Sequence, residues 1–248
     1  SPALMYLAAA GVGRIGIIDN DSVSASNLQR QIIHSSEWIG KSKVESASNW
    51  VARLNPDVDV VKINDRLTHE NSMEILDNYD VIIDGTDNFQ SRYLIGDTCE
   101  ILGKPWVFGS IHRFEGQVST FNLNNGPNYR DLFPTPPPPE LAPNCSEAGV
   151  LGVLPGIVGT IQATEAIKVI LGIGECLSGK LLAIDALSME MRSLSFSNNP
   201  ERARVTKLGE SVEQDFEEIG AKEFSERRLG GWKPFILDVR RAHEEEIA

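Results

Sequence analysis

Three cysteines in 248 residues, Cys99, Cys145 and Cys176, are too few and too scattered for a disulfide framework or a thiolate metal knuckle. Positive charge is also short. The 23 Lys and Arg face 35 Asp and Glu, and the net charge of −12 argues against nucleic acid or an anionic membrane as the main partner. No apolar run approaches the roughly 20 residues of a membrane span, and nothing resembles a signal peptide, so the expected compartment is the cytoplasm. Neither His34 nor His112 has a second histidine or an acid at ligand spacing. What is present is 41% apolar content with modest charge, enough to bury a core in one large domain or two small ones.

The most informative stretch is Arg14 to Lys43, RIGIIDNDSVSASNLQRQIIHSSEWIGKSK. Ile15, Ile17 and Ile18 form a short β-branched run closed by Asp19, the pattern of a buried parallel strand that delivers a carboxylate to the carboxyl edge of a sheet. Open α/β sheets bind ligands at that edge, and an acid there suits ribose hydroxyls. The sequel, Asn27, Gln29, Arg30 and Lys43, adds amides and two cations. Phosphates undergoing chemistry need such groups, because phosphoryl and nucleotidyl transfer is catalysed mostly by positioning and charge stabilisation.

Strand and helix patterns alternate along the chain. A helix is predicted over 3–10 with Pro2 at its first turn, and another over 43–54, where Val44, Ala47, Val51 and Leu54 recur at helical spacing and Asn55-Pro56 stops them. Strands are predicted over 58–63 and 79–84, with a short helix capped by Thr68 between them. Gly85-Thr86-Asp87-Asn88 is a loop at the carboxyl edge before a helix over 89–102. Strands near 105–109, 117–123, 180–185 and 189–196 follow, with a core or interface helix over 161–171. Residues 124–144 hold too much proline for helix or central strand and read as an extended, mobile surface segment. The implied fold is α/β, a doubly wound, Rossmann-like and mostly parallel sheet with added antiparallel strands.

Both ends read as cut. The strand closed by Asp19 presupposes an earlier strand and a glycine-rich loop, which are expected before Ser1. Residues 235–239, FILDV, read as a fresh strand near the other end. The expected organisation is a domain over 1–200, a linker over 201–220 and the start of a second α/β domain over 221–248.

The segments SPALMYLAAAGVG, IIDNDSVSASNLQRQIIH, GKSK, DGTDNFQSRY, EGQVSTF, YRDLFPTPPPPELAPNCSEAGV and TEAIK, in this order, resemble the ThiF/MoeB family of ubiquitin-activating-type adenylyltransferases. FILDVRRAHEEEIA further resembles the opening of a rhodanese domain, as in the fused adenylyltransferase–sulfurtransferase subgroup. The resemblance implies ATP and Mg²⁺ as cofactors, a ubiquitin-like sulfur carrier protein as partner, and a homodimer. In the implied reaction the carrier's C-terminal glycine carboxylate attacks the α-phosphate, giving an acyl-adenylate and pyrophosphate. It assigns Asp19 to the ribose, Asn27, Arg30 and Lys43 to the phosphates, Asp87 to Mg²⁺, and Asn88 to a place beside the nucleotide. Arg30, Lys43 and Asp87 would be catalytic. Cys145 matches the crossover-loop cysteine that links covalently to the carrier in some members.

One departure matters. Many relatives hold a structural Zn²⁺ between two CxxC pairs, but here Asn128 and Asp131 stand at the first pair and the segment after Asn199-Pro200 has no cysteine, so no zinc is expected. Taken singly, Asp84 and Asp87 suit turn formers that bond local amides, and Cys145 suits a small apolar filler. Two other functional classes stay open. An NAD(P)-dependent Rossmann oxidoreductase would use Asp19 but leaves Arg30, Lys43 and Asp87 unexplained. A non-catalytic scaffold related to the inactive halves of heterodimeric activating enzymes would be expected to lose that same set.

Overall fold

The structure is a computed structural model that describes residues 1–137 and 149–209. The chain divides into two compact units, Ser1–Glu210 and Ser211–Ala248, and all described residues belong to the first. Cys145 and the predicted second-domain start therefore lie outside the described residues.

Helix α1 (Pro2–Ala9) begins at a proline, which is tolerated there because the first N–H groups have no helical acceptor. Strand β1 (Arg14–Ile18) pairs in parallel with β2 (Asp59–Ile63) through the intervening helix α2 (Lys43–Leu54). Helix α2 buries Val44, Ala47 and Val51, and has the predicted bounds. Helix α3 (Ser72–Asp77) leads into β3, which is only Ile82–Ile83. The predicted strand over 79–84 is shorter because Tyr79 donates its N–H to Leu76 O at 3.2 Å, closing the end of α3. Asn71, not Thr68, occupies the N-cap of α3, and its side chain accepts from Thr68 N at 2.8 Å.

Helix α4 (Phe89–Leu102) returns the chain to β4 (Trp106–His112), parallel to β3. A two-residue turn then reverses it into β5 (Glu115–Phe121), with Arg113 at φ 51°. Strands β6 (Lys180–Asp185) and β7 (Glu190–Ser195) extend the sheet antiparallel, giving the order β3-β4-β5-β6-β7. The α/β class stands, and among the described strands the parallel pairs are β1-β2 and β3-β4. The antiparallel additions form the larger share. Short turns join β4 to β5 and β6 to β7, while the long connection through the helices Tyr129–Leu132 and Leu154–Leu171 brings β6 beside β5.

The main core gathers Trp106, Phe108, Phe121 and Tyr129, whose rings meet at centroid distances from 5.3 to 5.7 Å. Against the expectation of no helix over 124–144, Tyr129 opens a short one, α5 (Tyr129–Leu132), in the proline-free stretch capped by Asn128. Helix α6 (Leu154–Leu171) covers β4 and β5 and packs on α1. It starts seven residues before the predicted helix, and by length and composition it could cross a membrane. Its buried Leu154, Val158, Ala163 and Ala166, together with the buried polar pair Gln162 and Glu165, are those of a core helix on a sheet.

At the positions where thiolates were considered, the described residues hold an ionic network. Asp131 accepts from Asn128 N at 2.7 Å and Asn199 N at 3.0 Å, and Arg202 Nε reaches it at 2.8 Å. The same guanidinium reaches Glu100 at 2.9 and 3.0 Å. Burial pushes the Asp131 carboxyl up, but the bonds from Arg202 and the two backbone amides prevail and hold it below its ordinary value. The side chains of Glu100 and Asp131 are 5% and 3% exposed, so removing the cation strands both charges.

Arg202→Met is expected to cost about 3–5 kcal/mol near neutral pH, measured by urea unfolding. A carboxylate with a depressed native pKa contributes stability above its unfolded value of about 3.9 and loses it as pH falls through the native value. The gap between wild type and variant should therefore be widest near pH 7 and shrink below about pH 4.

Candidate active site

Asp19 follows the last residue of β1, and its N–H still donates to Ile63 O of β2 at 3.2 Å, which fixes it at the carboxyl edge. Its Oδ1 accepts from Asp21 N at 2.8 Å, a local turn that sends the chain out of the strand. The excursion over 22–42 then closes on itself. Val23 N donates to Lys41 O at 2.9 Å, Gly40 N to Val23 O at 2.8 Å and Lys43 N to Asp21 O at 3.0 Å.

That closure returns Lys43, the first residue of α2, to the start of the excursion. Its Nζ lies 2.6 Å from Asp21 Oδ2 and 3.5 Å from Asp19 Oδ2, and its side chain is 11% exposed. A lysine at a helix N-terminus adds to the positive end of the helix dipole, an arrangement that favours an anion. Asp19 and Asp21 balance that charge here. Beneath them, His34 shares a 2.8 Å hydrogen bond with Ser46 Oγ, and burial pushes its pKa down with neighbouring positive charge, Lys43 included, adding to the effect.

Asn27 and Arg30 share one turn of the excursion. Asn27 Oδ1 accepts from Ser24 N at 3.0 Å, and Arg30 Nη1 donates to Ser26 O at 3.1 Å. Gln29 is packed against Gly152, where an added Cβ would lie 2.4 Å from the Gln29 carbonyl oxygen. Asp87 and Asn88 occupy a separate loop beyond β3. Asp87 is exposed, while Asn88 Oδ1 accepts from Ser91 N at 2.8 Å and caps α4.

Sequence reasoning passed over Thr86, Arg92 and Gln162, and read Asp84 as a turn former bonding a local amide, as it does with Thr86 N at 2.7 Å. Asp84 is fully buried at the end of β3, and Arg92 is 4% exposed. Burial pushes the Asp84 carboxyl up, partly offset by Arg92 and by bonds from Thr86. Gln162 Nε2, reaching in from α6, donates to Asp84 O at 2.8 Å. One signal pointed to Arg92: side chains in the first turn of a helix lean back towards its N-terminus, and so towards the preceding loop.

The ThiF family pattern matches residues 1–205. The chain belongs to the ThiF family. Among its relatives are a probable adenylyltransferase/sulfurtransferase MoeZ of Mycobacterium tuberculosis, 43% identical over all of this chain and 67% of that protein, and a sulfur carrier protein adenylyltransferase of Thermus thermophilus, 50% identical over 80% of this chain and 75% of that protein. An adenylyltransferase and sulfurtransferase MOCS3-1 of Zea mays is 43% identical over all of this chain, which spans 59% of it. The crystal structure of E. coli MccB with MccA-N7isoASN has a TM-score of 0.72 at 17% identity, covering 83% of this chain and 63% of that one. That likeness establishes the Rossmann-type α/β fold of this ThiF family chain.

Lys43→Met leaves Asp19 and Asp21 without their cation and removes the charge at the start of α2. Binding of a nucleoside triphosphate, followed by calorimetry, is expected to weaken by about tenfold to a hundredfold, on the scale of a charge-assisted contact of about 1.5–3 kcal/mol.

Proposed function

We propose that this chain is the adenylation domain of an ATP-dependent adenylyltransferase. It would activate the C-terminal glycine carboxylate of a ubiquitin-like sulfur carrier for sulfur transfer in cofactor biosynthesis. The observation that carries the reading is the contact of Asp19 with Lys43 at the carboxyl edge of β1, in a ThiF family chain. The names of the relatives from Thermus thermophilus and Mycobacterium tuberculosis support the same chemistry.

In this reading Asp19 accepts hydrogen bonds from the ribose, while Asn27, Arg30 and Lys43 take the phosphates. The carrier's carboxylate forms a bond to the α-phosphorus as the bond to pyrophosphate breaks. No general base is required, because a carboxylate with a pKa near 3.5 is already ionised at pH 7. Nucleophile and phosphate are both anions, so Arg30 and Lys43 contribute by offsetting charge in the transition state.

Asp87 is an exposed carboxylate, the hard oxygen donor that Mg²⁺ prefers. No cluster of three or more His, Cys, Asp or Glu that could cage a metal forms among the described residues, which suits an ion held by one or two carboxylates and the substrate's phosphates. When bound, Mg²⁺ would neutralise phosphate charge and help align the leaving group. Asn88 would stand beside the nucleotide while capping α4. Cys145 would attack the acyl-adenylate carbonyl and release AMP, linking the carrier covalently.

Three further readings accompany this one. Residues 221–248 would begin a rhodanese-like domain after a linker over 201–220. The protein would be a cytoplasmic homodimer, a reading supported by the exposed Val153, Ile170, Leu171 and Ile173 at the two ends of α6. The Asp131–Arg202–Glu100 network would do without zinc, so metal analysis should find none and a chelator should leave the unfolding midpoint unchanged.

The deciding experiment is ATP–pyrophosphate exchange by the full-length protein with candidate sulfur carriers, with and without their terminal glycine. Exchange is expected only with the intact tail, and Asp87→Ala is expected to lower it by a factor of 10² or more. No exchange with any carrier, together with tight binding of a nicotinamide cofactor, would replace this reading with the oxidoreductase.

A further inference from the structure

The loop that presents Asp87 is shaped by an ion pair that stability alone does not explain. Arg92 Nε lies 3.6 Å from Asp84 Oδ2, and the two side chains are 5% and 0% exposed. That separation exceeds a hydrogen bond, and both atoms are buried with no hydrogen-bond partner. A buried pair with imperfect geometry is a weak stabiliser, since the desolvation of two charges outweighs much of their attraction.

The surrounding bonds indicate what the pair does. Asp84 Oδ1 accepts from Thr86 N and from Thr86 Oγ1, both at 2.7 Å, while Arg92 Nη2 donates to Thr86 O at 3.1 Å. The N–H, hydroxyl and carbonyl of Thr86 are thus all held by one ion pair. Arg92 itself lies against two rings, its guanidinium carbon 5.7 Å from the Phe89 centroid and 5.6 Å from that of Phe108. Gln162 fastens the Asp84 carbonyl from α6. On the far side of the loop, Asn88 is fixed as the cap of α4. Asp87, an exposed residue, stands between these two fixed points.

We propose that Asp84 and Arg92 are positioning residues, a buried clasp around Thr86 that sets the Asp87 carboxylate where the metal of a magnesium nucleotide is taken up. This inference rests on the adenylyltransferase reading and adds to it the residues that aim the metal ligand. The clasp touches neither nucleotide nor carrier. Its loss widens the range of positions open to Asp87, which weakens metal uptake and leaves the carrier's own binding unchanged. Lysine cannot replace Arg92, because an ammonium has neither the planar group that lies against two rings nor the fork that reaches Asp84 and Thr86 together.

The test uses the full-length protein and four variants: Asp84→Asn, Arg92→Lys, the milder Thr86→Val, and Ile184→Ala. The last is a core control in the cluster beneath α6. Two quantities are read: binding of Mn²⁺ in the presence of ATP by electron paramagnetic resonance, and the Mg²⁺ concentration giving half-maximal pyrophosphate exchange. Melting temperatures identify the folded variants. Asp84→Asn and Arg92→Lys are expected to weaken Mn²⁺ binding and raise the half-saturating Mg²⁺ by tenfold or more. Thr86→Val is expected to shift both about threefold, excess Mg²⁺ should restore much of the lost kcat, and the KM for the carrier should stay within twofold. Ile184→Ala should lower the melting temperature without moving either metal curve. If the folded variants bind Mn²⁺ as tightly as wild type, the clasp is only structural and the inference is overturned. Should Asp84→Asn and Arg92→Lys fail to fold, an unchanged metal curve in Thr86→Val overturns it equally. A wild-type protein that exchanges with no carrier and binds no metal nucleotide defeats the adenylyltransferase reading itself, a result distinct from the other two.

Discussion

Helix α6 lies close on the sheet because two facing positions carry no side chain. A Cβ at Gly109 of β4 would fall 2.4 Å from the Gln162 side chain, and one at Gly116 of β5 would fall 2.6 Å from Val158 Cγ2. Either methyl would push the helix off the strands, and interiors packed at crystal density absorb such insertions poorly. With the helix seated, Leu154 and Val158 close over Val118 and Ile184, while Ala163 and Ala166 meet Leu7 and Val107. The second of these clusters also takes in Ile15 and Ile83, so one helix unites the two separately paired sets of strands through shared apolar contacts.

The same helix carries order from the core into the site. Gln162 fits the space left by Gly109 and donates both to Asp84 O and, at 3.3 Å, to Val107 O. The polar end of β3 is thereby fixed from the layer below, while Arg92 and Thr86 fix it from above. A second site element, the excursion from Asp19 to Lys43, is held differently, by backbone bonds that close it at its own neck. One half of the site thus depends on tertiary packing and the other on local closure. The fixed cation and its two balancing carboxylates belong to the self-closed half. In the proposed function a ligand's phosphates would compete there with Asp21, which is 64% exposed, for Lys43 without disturbing the core.

This division explains what the sequence revealed. Helix α2 was legible to its bounds because apolar residues recur at helical spacing and Asn55-Pro56 ends them. Asp19 and Lys43 were legible because strand, acid and cation follow one another in local order. The first two turns of α6 were not, since Gly156 and Gly159 interrupt the helical spacing of apolar residues there. The predicted strand over 79–84 was too long because apolar alternation does not register that Tyr79 closes α3. The turn role of Asp84 was legible, but its burial and its pairing with Arg92 escaped for a related reason. An aspartate in a turn and an arginine on a helix are ordinary surface residues by type, and only burial, a property of the whole fold, marks them out.

The Arg202 network ties distant parts of the chain together through one cation. Three segments meet there, from α4, from α5 and from the chain beyond β7, joined by charged side chains and backbone N–H groups. Two buried carboxylates about one guanidinium leave a net negative charge, which apolar surroundings penalise. Backbone N–H groups of Asn128 and Asn199 offset it by donating to Asp131, so the acid nearest the chain crossing carries the most partners. Lysine could not serve in place of Arg202. One ammonium lacks the spread of donors needed to address two carboxylates on different helices at once, whereas the planar guanidinium contacts both at 3.0 Å or less. A rigid fork thus gives a directional cross-link between helix α4, helix α5 and the chain beyond β7.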